Sequence, residues 1–219
     1  MYKYRLTFSK TGYAKYVSHL DLMRMFQRAF KRAELPISYS QGFNPHQKIS
    51  IGFPLPLGVT GTKEYMDIEM DEQLEFTVLC DRLNGALPPD IRVSSACEPT
   101  QKTSSLQMAE YTVSAELKSA IPDLKEAVEE VLNRSEILVD KKTKKGIAET
   151  DIRPSIIETE VNASDKILEM KLVLSCADGA SLKATVVLDA LKKYIPDFDI
   201  DCVRINREGL FLENMTEIC

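Results

Sequence analysis

Residues 2–8, YKYRLTF, alternate apolar and polar side chains, which is the period of a strand with one buried face. The same alternation returns at residues 64–70, 91–98, 108–117, 166–175 and 199–206. Between these runs the period changes. Residues 19–33, 72–84, 122–133 and 181–194 carry apolar positions at helical spacing, with Pro122 near the start of the third and Asn84-Gly85 with Pro88-Pro89 closing the second. A short strand is expected at 37–40, and two more at 135–140 and 152–161, on either side of a basic loop. A linker, PTQKTSSLQ, spans about 99–107.

The order is β-α-β-β-α-β, given twice. The expected fold class is therefore α+β, with two tandem ferredoxin-like lobes built on antiparallel sheets. The first lobe is expected at residues 1–100 and the second at 108–219.

The helix at 19–33 is the best-specified element. At about 100° per residue, Leu22, Phe26, Ala29, Phe30 and Ala33 share one side. Arg24, Arg28, Lys31 and Arg32 share the other. Ser18 stands at the N-cap, and Asp21 three residues on completes a capping signature with a charge suited to a helix start.

Charge sharpens this picture. The whole chain carries −5, yet residues 1–50 hold nine Lys/Arg against two acids, a balance of +7, and the other 169 residues sum to −12. Such asymmetry suits a local anionic partner on an acidic body. A solvated helix face is the competing explanation of the same cations.

The loop at 39–48 reads Tyr-Ser-Gln-Gly-Phe-Asn-Pro-His-Gln-Lys. Gly42 permits a turn that a side chain would block. Gln41, Asn44, His46 and Lys48 offer amide, imidazole and ammonium groups to a polar ligand, and Tyr39 and Phe43 offer rings on which a base could stack. The alternative is a polar turn with Phe43 as a core plug. Gly58 and Gly61 leave backbone amides that a phosphate could approach, or mark a hairpin.

Catalysis has few candidates. The two histidines are His19, expected to be partly buried, and His46, in its loop. With Lys15, Tyr13 and Tyr16 nearby in sequence, these would be the acid–base groups of a metal-independent endoribonuclease. No Walker, dinucleotide, zincin or nucleophile-elbow motif is present. The five cysteines, at 80, 97, 176, 202 and 219, include no C-x-x-C pair and no cluster-binding triplet. Reduced, mostly packed thiols are expected, with no metal and no other cofactor. No apolar run has membrane-spanning length, and the N-terminus lacks a secretory signal's apolar stretch, so a cytoplasmic protein is expected.

In the second lobe, Lys141, Lys142, Lys144 and Lys145 make a basic tip, either solubilising or a second phosphate contact. Arg153, ahead of Pro154, is expected to pair with Asp151 or face a ligand.

These segments carry a resemblance. Tyr16-Val-Ser-His-Leu-Asp-Leu-Met-Arg, Phe26-Gln-Arg-Ala, Leu35-Pro and Tyr39-Ser-Gln-Gly-Phe-Asn-Pro-His together resemble the radical SAM-linked protein family. Thr143-Lys-Lys-Gly and Asp151-Ile-Arg-Pro look like its second-lobe signature, and Gln47 departs from it, where proline is the expected residue. The resemblance implies a radical SAM protein as partner. Lacking cluster cysteines, this chain would supply something other than the radical chemistry, and substrate presentation is the natural role. A looser likeness is to the RAMP-type CRISPR endoribonucleases, also tandem ferredoxin-like lobes, and it concerns the fold alone. The expectation is thus a non-catalytic accessory binding RNA, transfer RNA among the candidates, or another phosphate-bearing substrate. The alternatives are a protein–protein adaptor without nucleic acid and the endoribonuclease.

Overall fold

The computed structural model describes residues 1–143 and 146–219, with residues 141–143, 146 and 147 described by their backbone alone. The first alternating run becomes β1 (Tyr2–Lys10), which turns Tyr4, Leu6 and Phe8 into a core. α1 (His19–Arg32) follows, and Leu22, Phe26, Ala29 and Phe30 are its buried residues. Ser18 caps it as expected, its hydroxyl oxygen accepting from the Asp21 amide at 3.2 Å. Then come β2 (Ile49–Ile51), β3 (Thr60–Met70), α2 (Phe76–Ala86) and β4 (Ile91–Cys97). β3 lies antiparallel between β1 and β2, and β4 lies antiparallel on the other edge of β1. The sheet order β4-β1-β3-β2 completes a ferredoxin-like lobe.

One strand moved. Residues 37–40 form no ladder; Ile37 bridges Met70 and Tyr39 bridges Gln47 singly. Ser38 donates its amide to the Glu69 carbonyl and accepts from the Lys48 amide, both at 2.8 Å, so pairing switches partner at each residue. The continuous pairing forms instead at Ile49–Ile51.

The core of this lobe is aromatic. The rings of Phe8 and Phe26 meet edge to face at 5.1 Å, and Phe30 lies 6.3 Å from Phe26. Met66, Ile68, Met70, Leu79 and Leu83 close around them.

The second unit repeats the plan. It comprises β5 (Met108–Leu117), α3 (Leu124–Leu132), β6 (Leu138–Thr143), β7 (Gly146–Asp151), β8 (Ile156–Ala163), β9 (Ile167–Ser175), α4 (Ala184–Tyr194) and β10 (Ile200–Phe211). β9 pairs antiparallel with β5 and β8, and the order β10-β5-β9-β8 matches that of the first unit. Tyr111, Val113, Val128, Leu168, Leu172, Val187 and Leu191 are among its buried side chains.

An antiparallel hairpin, β6–β7, is inserted between α3 and β8, where two strands around a loop were expected. Asp151 pins its base: one carboxylate oxygen accepts from the amides of Ile137 at 2.8 Å and Arg153 at 2.9 Å. The Arg153 guanidinium donates to the Ile156 carbonyl at 2.9 Å and so closes the same turn. Tyr194 of α4 exchanges hydrogen bonds with the backbone of Leu138 at 3.1 Å.

The units divide at residues Met1–Leu106 with Gly209–Cys219, and Gln107–Glu208. The expected boundary put 209–219 in the second lobe. These residues belong to the first, where Thr100 donates both its amide and its hydroxyl to the Cys219 carbonyl, at 2.7 and 2.9 Å.

The expectation of reduced thiols throughout is also corrected. Cys97, at the end of β4, is disulfide-bonded to Cys219, with α-carbons 6.1 Å apart, inside the range such a bond spans. Cys80 and Cys176 are buried thiols and Cys202 is exposed. Burial pushes the Cys176 thiol up to about 11. No helix among the described residues is long and apolar enough to cross a membrane.

Two outcomes follow. Phe26→Ala should remove about 3–5 kcal/mol from unfolding of the first unit, read by denaturant titration; a loss below 1 kcal/mol would mean that Phe26 is not central to the core. Thiol titration of denatured, unreduced protein should find three free cysteines, rising to five after reduction; five without reductant would contradict the bond.

Candidate anion-binding face

With its apolar side on the sheet, α1 can only present its cations outward. Arg24, Arg28, Lys31 and Arg32 are all exposed. Their neighbours divide them. Arg24 pairs with Asp21 at 3.0 Å. Arg32 donates to the Ala86 carbonyl at the end of α2. Arg28 and Lys31 make no hydrogen bond or ion pair among the described residues, and they are the cations left for a ligand.

Arg24, Arg28 and Arg32 line one surface groove of about 350 Å³, together with Val17, Asp21 and Met25. Three arginines and one carboxylate residue thus line it, with Arg24 paired to Asp21 and the Arg32 guanidinium on the Ala86 carbonyl. The Ser18 hydroxyl, at 2.7 Å, and then Arg24 hold the Asp21 carboxyl below the usual carboxylate range. A second groove, of about 600 Å³, adjoins along α1 through the shared Met25 and Arg32 and reaches Arg82 and Gly85–Pro88. Arg82 closes the C-terminus of α1, donating to the carbonyls of Ala33 and Glu34 at 2.5 and 2.7 Å. Nothing local in the sequence marks that role, because the partners are 49 and 48 residues away.

The rest of the +7 segment is largely committed inside the lobe. Arg5 is fully buried on the sheet face opposite α1. It binds both oxygens of Asp67, at 2.7 and 2.9 Å, and the Gln101 carbonyl at 2.7 Å. Lys10 is buried and donates to the Val17 carbonyl at 2.9 Å. Lys48 pairs with Glu69 at 2.6 Å and lines a different groove with Lys3, Ser50 and Pro99. Sequence counts cations; only the fold shows which ones are already used.

The loop expected to offer polar groups is a hairpin tip. The Ser40 amide donates to the His46 carbonyl at 2.8 Å, the Ser40 hydroxyl accepts from the His46 amide at 3.1 Å, and the same hydroxyl meets His46 Nδ1 at 2.9 Å. Gln41, Asn44 and His46 are exposed with it. Phe43 is fully exposed at the tip, so it is not a core plug. Tyr39 is exposed, and its hydroxyl accepts from Gln47 at 3.3 Å. Gln47 is buried and also reaches the Gln27 carbonyl of α1 at 3.4 Å, which ties the hairpin base to the helix. Its Oε1 has no hydrogen-bond partner among the described residues.

His19 is exposed at the first turn of α1, where partial burial was expected. The Gly58 amide is not free for a phosphate, since it donates to the Lys15 carbonyl at 2.9 Å. At Gly61 a β-carbon would collide with Leu55 and the Glu64 carboxylate, which is a packing reason for glycine. Lys144 and Lys145 lie outside the described residues, and Lys141 and Lys142 belong to β6 by their backbone. Among the described residues no cluster of His, Cys, Asp or Glu is placed to hold a metal.

Residues 3–184 match the model of a family described as an uncharacterized protein conserved in bacteria (DUF2344). No curated protein matches. Among solved structures, a chain of a Cbf5-Nop10-Gar1 complex is similar with a TM-score of 0.52 at 11% identity, over 94% of this chain and 48% of that one. The present chain thus spans about half of that neighbour, and the likeness is one of fold. An unknown protein from Galdieria sulphuraria aligns over 95% of this chain and 99% of its own, at 14% identity and a TM-score of 0.27.

The Asp21 carboxyl offers a direct check. Its depressed pKa means that its contribution to stability is complete above the unfolded value, about 3.9, and is lost as pH falls through the lower folded value. Ser18→Ala should move the Asp21 midpoint upward in an NMR titration. An unmoved midpoint would assign the depression to Arg24 instead.

Proposed function

The chain belongs to DUF2344, the family of uncharacterized proteins conserved in bacteria, and we propose that it is a non-catalytic binding accessory that holds RNA or another phosphate-bearing substrate against α1. The observation that carries this reading is the groove on α1 lined by Arg24, Arg28 and Arg32, where Arg28 is bound to no neighbour among the described residues. Guanidinium groups match phosphate oxygens in geometry as well as charge. The groove is open and lies on a rigid helix, as a docking surface requires. The resemblance of the α1 and hairpin segments to radical SAM-linked proteins supplies the partner in this proposal, a radical SAM enzyme to which the substrate is presented.

A second reading, a protein adaptor, draws on Leu20 and Leu57, which are large, apolar and exposed. Co-purification of a radical SAM protein that survives nuclease treatment would favour it.

The test is RNA affinity against salt. Phosphate contacts make log Kd rise linearly with log salt, by about 0.7 per contact for a single strand. Arg28→Glu with Lys31→Glu should weaken binding at low salt and lower that slope by about 1.4. Binding that ignores salt and both substitutions would rule out the α1 face.

A further inference from the structure

A groove of arginines selects phosphate but says nothing about base pairing. The 3₁₀ turn Gly12–Tyr16, which leads into α1, does. In a 3₁₀ turn residues i and i+3 eclipse, with a rise of about 2 Å per residue. Tyr13 and Tyr16 therefore stand on one side of the turn, about 6 Å apart along its axis. Both rings are open to solvent, at 84% and 63% exposure.

The backbone under these rings is fixed from several directions. The Thr11 amide donates to the Asp90 carbonyl at 2.8 Å, and the Tyr13 amide to the Asp90 carboxylate at 2.9 Å. Gly12 has φ +50°, and a β-carbon there would sit 2.7 Å from that carboxylate, so the approach needs glycine. Ala14 is buried beneath the turn. The Gly58 amide holds the Lys15 carbonyl at 2.9 Å. A pinned turn that holds two large rings in water gains no core packing from them. Lys15 adds a cation, its ammonium 5.1 Å from the centre of the Tyr16 ring.

Paired rings beside cations fit one kind of occupant well. Unpaired nucleotides can splay their bases onto aromatic faces while their phosphates meet the cations. A duplex keeps its bases stacked on each other and offers this surface only its backbone. We infer that the accessory is selective for single-stranded RNA, with Tyr13 and Tyr16 stacking two bases of the strand whose phosphates meet α1. The inference rests on the phosphate-binding reading and names its substrate class.

The experiment uses the whole protein, a fluorescein-labelled RNA 12-mer, and the same strand annealed to its complement, compared by anisotropy at one low salt concentration. The single strand should bind more tightly. Tyr13→Ala and Tyr16→Ala should each weaken it about five- to hundredfold and leave the duplex unchanged, while Tyr13→Phe and Tyr16→Phe, which keep the ring, should bind like the parent. Because the chain has no tryptophan, quenching of tyrosine emission on adding unlabelled strand should report the stacking directly. Equal binding of strand and duplex, weakened by Arg28→Glu but by neither tyrosine substitution, would overturn the single-strand inference and leave the phosphate-binding reading standing. Absence of binding to both RNAs would overturn the two together and leave the protein adaptor.

Discussion

The contact between Phe8 of β1 and Phe26 of α1 sets the rotation of that helix, and most of the candidate surface depends on it. Once Phe26 is seated with Leu22, Ala29 and Phe30 against the sheet, the face of α1 on which Arg24, Arg28 and Lys31 stand is fixed. The hydrophobic term is large enough to dictate this arrangement. Burying a phenylalanine contributes about 2–3 kcal/mol, whereas solvent screens an exposed ion pair such as Arg24 with Asp21 and leaves it little to contribute. The polar face is therefore placed by the apolar one and does not place itself.

The cations of the first fifty residues illustrate how a charge count can mislead. Arg5 and Lys10 sit at strand positions and look no different in sequence from Arg28. They are buried and bonded. Lys48 and Arg24 have carboxylates within 3.0 Å, and Arg32 is turned toward the end of α2. What remains for a ligand is narrower than +7 suggests, and it lies along α1 and the turn before it.

The fold was largely legible because its information is local. Alternation marks β1, β3, β5 and β9, and a capping signature with a clean apolar stripe marks α1. Signals were lost where partners are distant. Arg82 finds carbonyls at 33 and 34, Asp67 finds Arg5, and Cys97 finds Cys219; no short window contains both sides of any of these pairs. Tyr13 and Tyr16 were legible as residues near a histidine but not as exposed rings, because exposure depends on what the rest of the chain leaves uncovered. The strand expected at 135–140 meets β6 only in part, and β7 fell inside the expected basic loop, because the lysine run at 141–145 breaks any alternation in the sequence.

The return of residues 209–219 to the first unit has a consequence for biosynthesis. The second unit is continuous in sequence, so all of its contacts are available once residue 208 has left the ribosome. The first unit is not. Its helices and β1 to β4 emerge early, but Leu210, Phe211 and Ile218, and the sulfur that Cys97 bonds, follow about a hundred residues later. Domains usually fold in order of emergence. Here the earlier-made unit is the later to be completed, and its arginine-lined face is presented by a lobe that waits for the far end of the chain.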